Sequence, residues 1–212
     1  MKKYINKKLL ISNGIALACD IVKKAKEKNI YTIVTDWHEN SPEKKIADKS
    51  YMVSTADINE MVRLAKKESV DGILTSFVDS NLQNTRKICE ELGLYFYATK
   101  EQLEVTMNKN RFKELCRQFD ISVVPEFQLF NDFDIKNLTD IEYPVIIKPV
   151  DNSGSRGIVI CNNQEELIDG YSNSMEHSES KTVLIEKLMD LSRSGINIDY
   201  VICDGEVYLS SV

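Results

Sequence analysis

The sequence predicts an α/β protein in which a parallel sheet with flanking helices is followed by a second, smaller α/β unit. From residue 8 to about residue 98, short apolar segments alternate with amphipathic ones, which is the pattern of parallel strands joined by helical crossovers. Residues 121–188 repeat this alternation on a smaller scale. A hairpin is predicted at residues 196–212, around the turn dipeptide Asp204-Gly205.

The first half is predicted to hold five short strands, at residues 9–12, 30–35, 51–54, 70–75 and 94–98. Apolar residues that recur every three or four positions predict helices at residues 14–28, 57–67, 79–92 and 100–106. This order is Rossmann-like, so a dinucleotide site is one alternative: Asn13-Gly14 follows the first strand, and Asp36 ends the second. The Gly-x-Gly-x-x-Gly fingerprint needs three glycines, however, and only Gly14 is present.

A further helix is predicted from Lys109 to Phe119, with Asn108 as its cap. Its apolar stripe consists of Phe112, Leu115, Cys116 and Phe119. Lys109 and Lys113 share another face, and such a pair is most often simply solvated. In the second unit, strands are predicted at residues 123–129, 145–148, 158–161 and 183–186, and helices at 132–138 and 164–175.

The most informative segment is residues 143–160, where a lysine ends an apolar strand and a glycine-bearing loop follows. Val145 to Ile147 form a β-branched run suited to a buried strand, and Lys148 comes next. Because burying an unpaired ammonium is costly, Lys148 should either reach water or meet a fixed negative group. The loop Asp151–Gly157 holds two glycines, two serines and an arginine, whose donors suit phosphate oxygens. The alternative is an ordinary hairpin beside a strand-end lysine.

Composition excludes several classes of function. The formal net charge of −6 and pI near 5.1 argue against a nucleic-acid partner. Five cysteines without a CxxC pair indicate reduced thiols and a cytoplasmic protein, and two histidines without neighbouring ligands indicate no His-centred metal site. No stretch is apolar enough to span a membrane, and Ser12 to Gly14 interrupt the N-terminal apolar segment that a signal peptide would need.

The order of these parts resembles the ATP-grasp superfamily, in its carbamoyl-phosphate synthase and biotin carboxylase branch. The resemblance rests on residues 143–149, on the loop Gly154–Gly157, on Asp71-Gly72-Ile73-Leu74 and on residues 183–188. It implies a Rossmann-like pre-ATP-grasp domain (1–107), a linking helix (108–120), an ATP-grasp lid (121–188) and the first hairpin of an incomplete C-terminal sheet (189–212).

The resemblance also implies roles for individual residues. Lys109 and Lys148 resemble the two family lysines that contact the ATP phosphates. The flap over the phosphates would be Ser153, Gly154, Ser155, Arg156 and Gly157. Glu186, Lys187 and Leu188 resemble the hinge that meets adenine, while the ribose contact stays open. Substrate contacts near Asn13, Gly14, Ser76 and Asp79 are a weaker expectation.

The family's magnesium ligands would lie beyond residue 212, so no metal site is expected within this chain. The resemblance therefore implies the N-terminal portion of a longer carboxylate–amine ligase that uses ATP and Mg²⁺ and forms an acylphosphate. The portion alone should bind ATP weakly without turnover, since phosphoryl transfer depends on the metal. Small-molecule carboxylate and amine substrates are the expected partners, and a homodimer is allowed. A nucleotide-binding or scaffold module without catalysis is a further alternative.

Overall fold

The protein divides into two compact units, residues 1–121 and 122–212. The structure is a computed structural model that describes residues 4–12, 16–131, 140–190, 192 and 195–211. The predicted helix at residues 132–138 and the pair Asn13-Gly14 lie outside the described residues. Among the described residues, no helix is both long and apolar enough to cross a membrane. The four-part domain division stays a prediction.

The first unit is built on a parallel sheet of four strands. They are β1 (Lys8–Ile11), β2 (Tyr31–Thr35), β3 (Lys49–Tyr51) and β4 (Gly72–Leu74). The strand order is β3-β2-β1-β4, and every neighbouring pair is parallel. Parallel strands that carry helices on both faces are buried on both sides, and Leu10, Ile11, Ile33 and Val34 are fully buried.

The helices of the first unit follow the sequence prediction closely. They are α1 (Ala18–Glu27), a 3₁₀ turn (Pro42–Lys45), α2 (Ile58–Glu68), α3 (Asp79–Leu92), α4 (Lys100–Thr106) and α5 (Lys109–Gln118). On one face of the sheet, Leu10 and Ile33 pack with Met61 of α2 and Ile88 of α3. On the other face, Ile11 and Val34 pack with Val22 of α1. Successive strand residues thus enter opposite cores, as the period of two requires.

The predicted fifth strand at residues 94–98 is wrong. Gly93 adopts a left-handed φ of 65° and ends α3, and the Leu94 N–H donates to the Cys89 carbonyl at 2.8 Å. Leu94 and Phe96 then pack against the core as partly buried side chains. The alternating pattern therefore reports one partly buried side of a segment that joins none of the described sheets.

The second unit is built on an antiparallel sheet, and one helix packs on it among the described residues. The strands are β5 (Glu126–Phe130), β6 (Val145–Pro149), β7 (Val159–Cys161) and β8 (Val183–Lys187), and the helix is α6 (Gln164–Glu176). The strand order is β5-β8-β6-β7, with β6 at the centre of the pairing. Val145 and Ile147 of β6 pack with Leu167 of α6 in a core of fully buried side chains. The opposite face of β6 carries Ile146 and Lys148.

A two-stranded hairpin completes the described residues. It consists of β9 (Asp199–Cys203) and β10 (Glu206–Ser211). Asp204 and Gly205 both have positive φ, 53° and 83°, which is the geometry of the predicted tight turn. Every residue of both strands is exposed. Taken together, the parallel sheet, the smaller antiparallel sheet and the hairpin confirm the predicted fold class.

Candidate functional site

An ion pair lies on the face of the second sheet that is turned away from α6. Lys148 of β6 stands opposite Leu184 of β8, and Ile146 stands opposite Glu186, so Lys148 and Glu186 are diagonal neighbours on one face. The Lys148 Nζ lies 2.5 Å from Glu186 Oε2. The Glu186 side chain is 3% exposed and that of Lys148 is 18% exposed. The fixed negative group that the sequence required for Lys148 is therefore a carboxylate of the chain itself.

The glycine-bearing loop joins β6 to β7, which pair as an antiparallel hairpin. Gly154, Ser155 and Gly157 have positive φ values of 66°, 58° and 72°. A Cβ on Gly157 would lie 2.6 Å from the His177 Cβ and 3.2 Å from the Pro149 Cγ, so only glycine fits there. The loop begins directly after the strand that carries Lys148. Its exposed apex consists of Gly154, Ser155 and Arg156.

The two ends of this loop are anchored to the last turn of α6 and to the segment that follows it. The Ser174 Oγ donates to the Gly157 carbonyl at 2.6 Å. At the other end, Asp151 accepts hydrogen bonds from the Ser178 Oγ at 2.8 Å and the Ser180 N–H at 2.6 Å. Burial alone would raise the pKa of Asp151, but these hydrogen bonds outweigh it and lower the pKa. A loop held at both ends presents its apex in a restricted set of positions.

At the apex of the loop, Arg156 is turned back toward the loop itself. The Arg156 Nε donates to the Ser153 carbonyl at 3.2 Å, and Ser153 is half-buried. Four of the five Arg donors lie on the other two guanidinium nitrogens, where they could meet an anion.

Of the three residues predicted to meet adenine, Glu186 and Lys187 end β8 and Leu188 directly follows it. The N–H of Lys187 donates to the Pro125 carbonyl at 3.0 Å, and the N–H of Leu188 donates to the Pro144 carbonyl at 3.3 Å. These two donors are therefore engaged inside the unit. Met189 comes next and is 56% exposed, and among the described residues its N–H has no hydrogen-bond partner. Met189 was missed by the sequence reasoning, since an exposed methionine after a strand carries no signal.

Lys109 is the first residue of α5, where the predicted cap is confirmed: Asn108 Oδ1 accepts from the Arg111 N–H at 3.0 Å. Lys109 is half-buried and Lys113 is 9% exposed, so this pair is not a solvated face. The apolar stripe of α5 is largely exposed instead, with Phe112 at 46% and Phe119 at 70%. Lys109 belongs to the first unit, and its place beside Lys148 stays a prediction.

A cavity of about 430 Å³ opens at the carboxyl edge of the first sheet. Asp36, Trp37 and His38, which follow β2, line one part of it. Hydroxyl and amide side chains line much of the remainder: Thr35, Ser54, Thr55, Ser80, Asn81 and Asn84. The predicted residues Ser76 and Asp79 are half-buried and exposed, and neither is among the described lining residues, although Val78 and Ser80 are.

Hydrogen bonds fix the start of α3 to the end of β1 beside this cavity. The Asn81 Nδ2 donates to the Ser12 carbonyl at 3.0 Å, and the Thr75 Oγ1 donates to the same carbonyl at 3.3 Å. Asp36 is 7% exposed and accepts a hydrogen bond from the Ser41 Oγ. The sequence singled out Asp36 alone from this set, because hydroxyl and amide residues after strands are too common to stand out.

A second buried acid follows Asp36 in the 3₁₀ turn. Glu43 is fully buried, and neither of its carboxyl oxygens has a hydrogen-bond partner within the described part of the chain. Burial raises the pKa of this carboxyl, and the negative charge of Asp36 adds to the rise. Glu43 is therefore more readily protonated than an exposed glutamate.

Comparison with known proteins relates this chain to ATP-binding enzymes. A family model, "Carbamoyl-phosphate synthase L chain, ATP binding domain", matches residues 108–205. Formate-dependent phosphoribosylglycinamide formyltransferase from Prochlorococcus marinus is 24% identical over 93% of this chain and 50% of its own length. The 2-oxoglutarate carboxylase small subunit from Hydrogenobacter thermophilus is 29% identical over 79% of this chain and 38% of its own length.

A solved structure shares the fold. It is the biotin carboxylase domain dimer of the Hydrogenobacter thermophilus 2-oxoglutarate carboxylase, in complex with MgADP, ADP and bicarbonate. Its TM-score is 0.74 at 27% identity, covering 87% of this chain and 44% of that one. The fold of the chain is thus one that a nucleotide-binding class of protein shares.

More specifically, residues 108–205 match an ATP-binding domain of the carbamoyl-phosphate synthase L chain type, and the chain is similar to ATP-grasp proteins such as biotin carboxylase. It spans half or less of the length of these curated relatives.

Proposed function

We propose that this chain supplies the ATP-binding part of a ligase that joins a carboxylate to an amine or another nitrogen nucleophile. In this reaction ATP would phosphorylate the carboxylate, and the nucleophile would displace phosphate from the acylphosphate. The observation that carries the proposal is the Lys148–Glu186 pair, whose lysine lies on the strand that leads directly into the glycine-bearing loop. Residues 121–188 would form the lid over the nucleotide.

Lys148 can bind the ATP phosphates while it stays paired with Glu186. An ammonium has three N–H donors, and the carboxylate at 2.5 Å engages one of them. The remaining two could meet phosphate oxygens, while Glu186 holds the side chain in place. Because Glu186 is almost fully buried, the position of the ammonium is defined before the nucleotide arrives, which lowers the ordering cost of binding.

The loop would add donors of a different kind. Residues with alternating positive and negative φ turn successive backbone N–H groups toward one side, and such concave sets of donors bind anions. Ser155 and Gly157 have positive φ and stand on either side of Arg156, which does not, so these three residues alternate as required. Arg156 would add charge-assisted hydrogen bonds from the exposed apex. We assign Ser153–Gly157 to the β- and γ-phosphates on these grounds.

The adenine would lie against the end of β8. Glu186 is proposed to accept a hydrogen bond from the exocyclic amine, as the family resemblance implies. Since the N–H groups of Lys187 and Leu188 donate within the unit, the N–H of Met189 is the better candidate for a ring nitrogen. Lys187 and Leu188 would then contribute carbonyl oxygens and apolar contact. Lys109 is proposed as the second phosphate-binding lysine.

Magnesium is not assigned to this chain. The described residues contain no group of three or more His, Cys, Asp or Glu side chains that could hold a metal ion. When bound, Mg²⁺ would neutralise charge that develops on the transferred phosphoryl group. The activity of the chain by itself is therefore proposed to be ATP binding without turnover. We place the protein in the cytoplasm, with small-molecule substrates, and a homodimer is a compatible assembly.

The proposal is tested by titrating ATP into the full chain in a calorimeter, with Lys148→Ala as the variant. Loss of a charge-assisted hydrogen bond should weaken ATP binding about 10- to 100-fold, which corresponds to about 1.5–3 kcal/mol. Lys181→Ala is the matched control, because Lys181 is an exposed lysine of the same unit whose Nζ donates to the Met175 carbonyl. Equal ATP affinity in the Lys148 variant and the wild type would refute the proposed role.

Turnover of ATP distinguishes the proposed ligase from the alternative, a nucleotide-binding or scaffold module without catalysis. ADP release is measured on the natural protein that contains this chain, with mixtures of carboxylates and amines. Tight ATP binding without ADP release under any mixture would favour a non-catalytic nucleotide-binding module.

A further inference from the structure

The cavity at the carboxyl edge of the first sheet has a charge pattern that restricts its ligand. Its volume of about 430 Å³ is within the usual range for small-molecule sites. Asp36 lines it, is 7% exposed and contributes a carboxylate. None of the described residues that line it is a lysine or an arginine. A cleft with charge of one sign concentrates ligands of the opposite sign.

The positive groups around Asp36 are already engaged. The Lys44 Nζ donates to the carbonyls of Asp36 and His38, at 2.8 and 2.5 Å, and Lys44 is not among the described residues that line the cavity. The start of α3 would attract an anion through its N–H groups, but Asp79 in its first turn places a carboxylate there. The surroundings of the cavity therefore disfavour a phosphate group.

One further side chain suits a cationic ligand. Trp37 is 65% exposed and lines the cavity, and the face of an indole ring attracts an ammonium group. Together with the Asp36 carboxylate, this ring gives the cavity two groups that favour an ammonium-bearing ligand.

We infer that this cavity binds the amine substrate as a small ammonium ligand, held by Asp36 and the Trp37 ring, and that it rejects phosphorylated ligands. The role of the ligand as nucleophile rests on the proposed function, whereas its binding does not. Acceptors that carry a phosphate, such as the phosphoribosylglycinamide in the name of one relative, would not suit this cavity.

The sequence supplies its own reporter for this test. Trp37 is the single tryptophan of the chain, so tryptophan fluorescence reports on the part of the cavity that this residue lines. The full chain is titrated at constant ionic strength with 2-aminoethanol, ethane-1,2-diol and 2-hydroxyethyl phosphate, which share one carbon skeleton. A saturable change is expected with 2-aminoethanol, at least about tenfold weaker binding with the diol, and no binding of the phosphate in the same concentration range.

Two variants define the charge dependence. Asp36→Asn keeps the shape and can still accept the hydrogen bond from Ser41, and it should weaken 2-aminoethanol binding at least tenfold. Asn84→Lys places a positive charge in the cavity. It should reverse the preference of the cavity for the ammonium probe over the phosphate probe, so that 2-hydroxyethyl phosphate now binds. Gln83→Lys adds the same charge at the neighbouring position of α3, which is not among the lining residues, and should leave both affinities unchanged.

The inference is overturned if the wild-type chain shows no saturable response to 2-aminoethanol, or binds the phosphate probe as tightly. It is also overturned if Asp36→Asn has no effect. ATP affinity is measured on the same samples. Loss of ATP binding with retained ammonium binding would refute the ligase and leave the cavity assignment standing, and the reverse result would refute the cavity alone.

Discussion

The two sheets of this protein place their polar groups in different positions. The parallel sheet of the first unit is covered on both faces, and its polar side chains gather at the carboxyl ends of the strands, around Asp36 and Thr35. The antiparallel sheet of the second unit has one face on α6, and its ion pair lies on the other face, at Lys148 and Glu186. Where a sheet can expose a functional group is therefore decided by which of its faces the helices leave open.

The largest loss of stability is expected at Gly157 of the second unit, where an added Cβ would have the least room. Gly157→Ala should destabilise this unit by about 2–5 kcal/mol, because it adds left-handed backbone strain to a clash with His177. Gly154→Ala is the control: its φ is also positive, at 66°, but no atom lies within 4 Å of the added Cβ, so about 1–2 kcal/mol is expected. Urea unfolding followed by far-UV circular dichroism measures both. Equal losses would show that the contact with His177 is unimportant.

The buried ion pair should behave differently from a surface pair of the first unit. Glu186→Leu leaves the Lys148 ammonium without its carboxylate and should cost about 3 kcal/mol, whereas adding Lys148→Met should restore most of the loss. Lys7 and Asp71 lie as close, at 2.6 Å, but their side chains are 53% and 35% exposed. Lys7→Met should therefore cost at most about 1 kcal/mol. Denaturation of the three variants and the wild type tests the contrast, which fails if Lys7→Met costs as much as Glu186→Leu.

Helix caps should not distinguish the two units. Asp57 caps α2 in the first unit and Asn163 caps α6 in the second, each accepting a backbone N–H at 3.0 Å. Replacing either by alanine should cost about 1 kcal/mol. Thermal unfolding of the two variants provides the measurement. A much larger loss for one of them would indicate that its helix start contributes to more than local stability.

The smallest effect at neutral pH is expected at Glu43 in the first unit. Because its folded pKa is raised, the folded state holds a proton that the unfolded chain has already lost above pH 4.5, so stability falls as pH rises through this window. Glu43→Gln should be more stable than the wild type at pH 7 and lose this advantage below about pH 4.5.

Trp37 fluorescence during urea unfolding at several pH values measures the Glu43 effect. Glu39→Gln, at an exposed neighbouring position, is the control and should show no such dependence on pH. An advantage of Glu43→Gln that persists unchanged below pH 4.5 would contradict the assigned protonation.

The sequence predicted the order of strands and helices well, because periodicity reports which side of each element is buried. The prediction failed at residues 94–98, because a segment that packs one side against the core has the alternating pattern of a strand even when it forms no hydrogen bonds with a neighbouring strand. Lys148 and Glu186 were each identified, but their contact depends on the register of two strands 38 positions apart. The cavity forms where three chain segments meet at the carboxyl edge of the first sheet. No local sequence pattern indicates that these segments lie together.

The exposed hairpin of β9 and β10 should open before the two four-stranded sheets do. Its strands pair with each other and with no other described strand, and all their side chains are exposed. Few buried contacts protect its backbone hydrogen bonds, so its amide hydrogens should exchange with solvent long before those of β1 or β6. A protease should accordingly cut near Asp204 first and leave both four-stranded sheets intact.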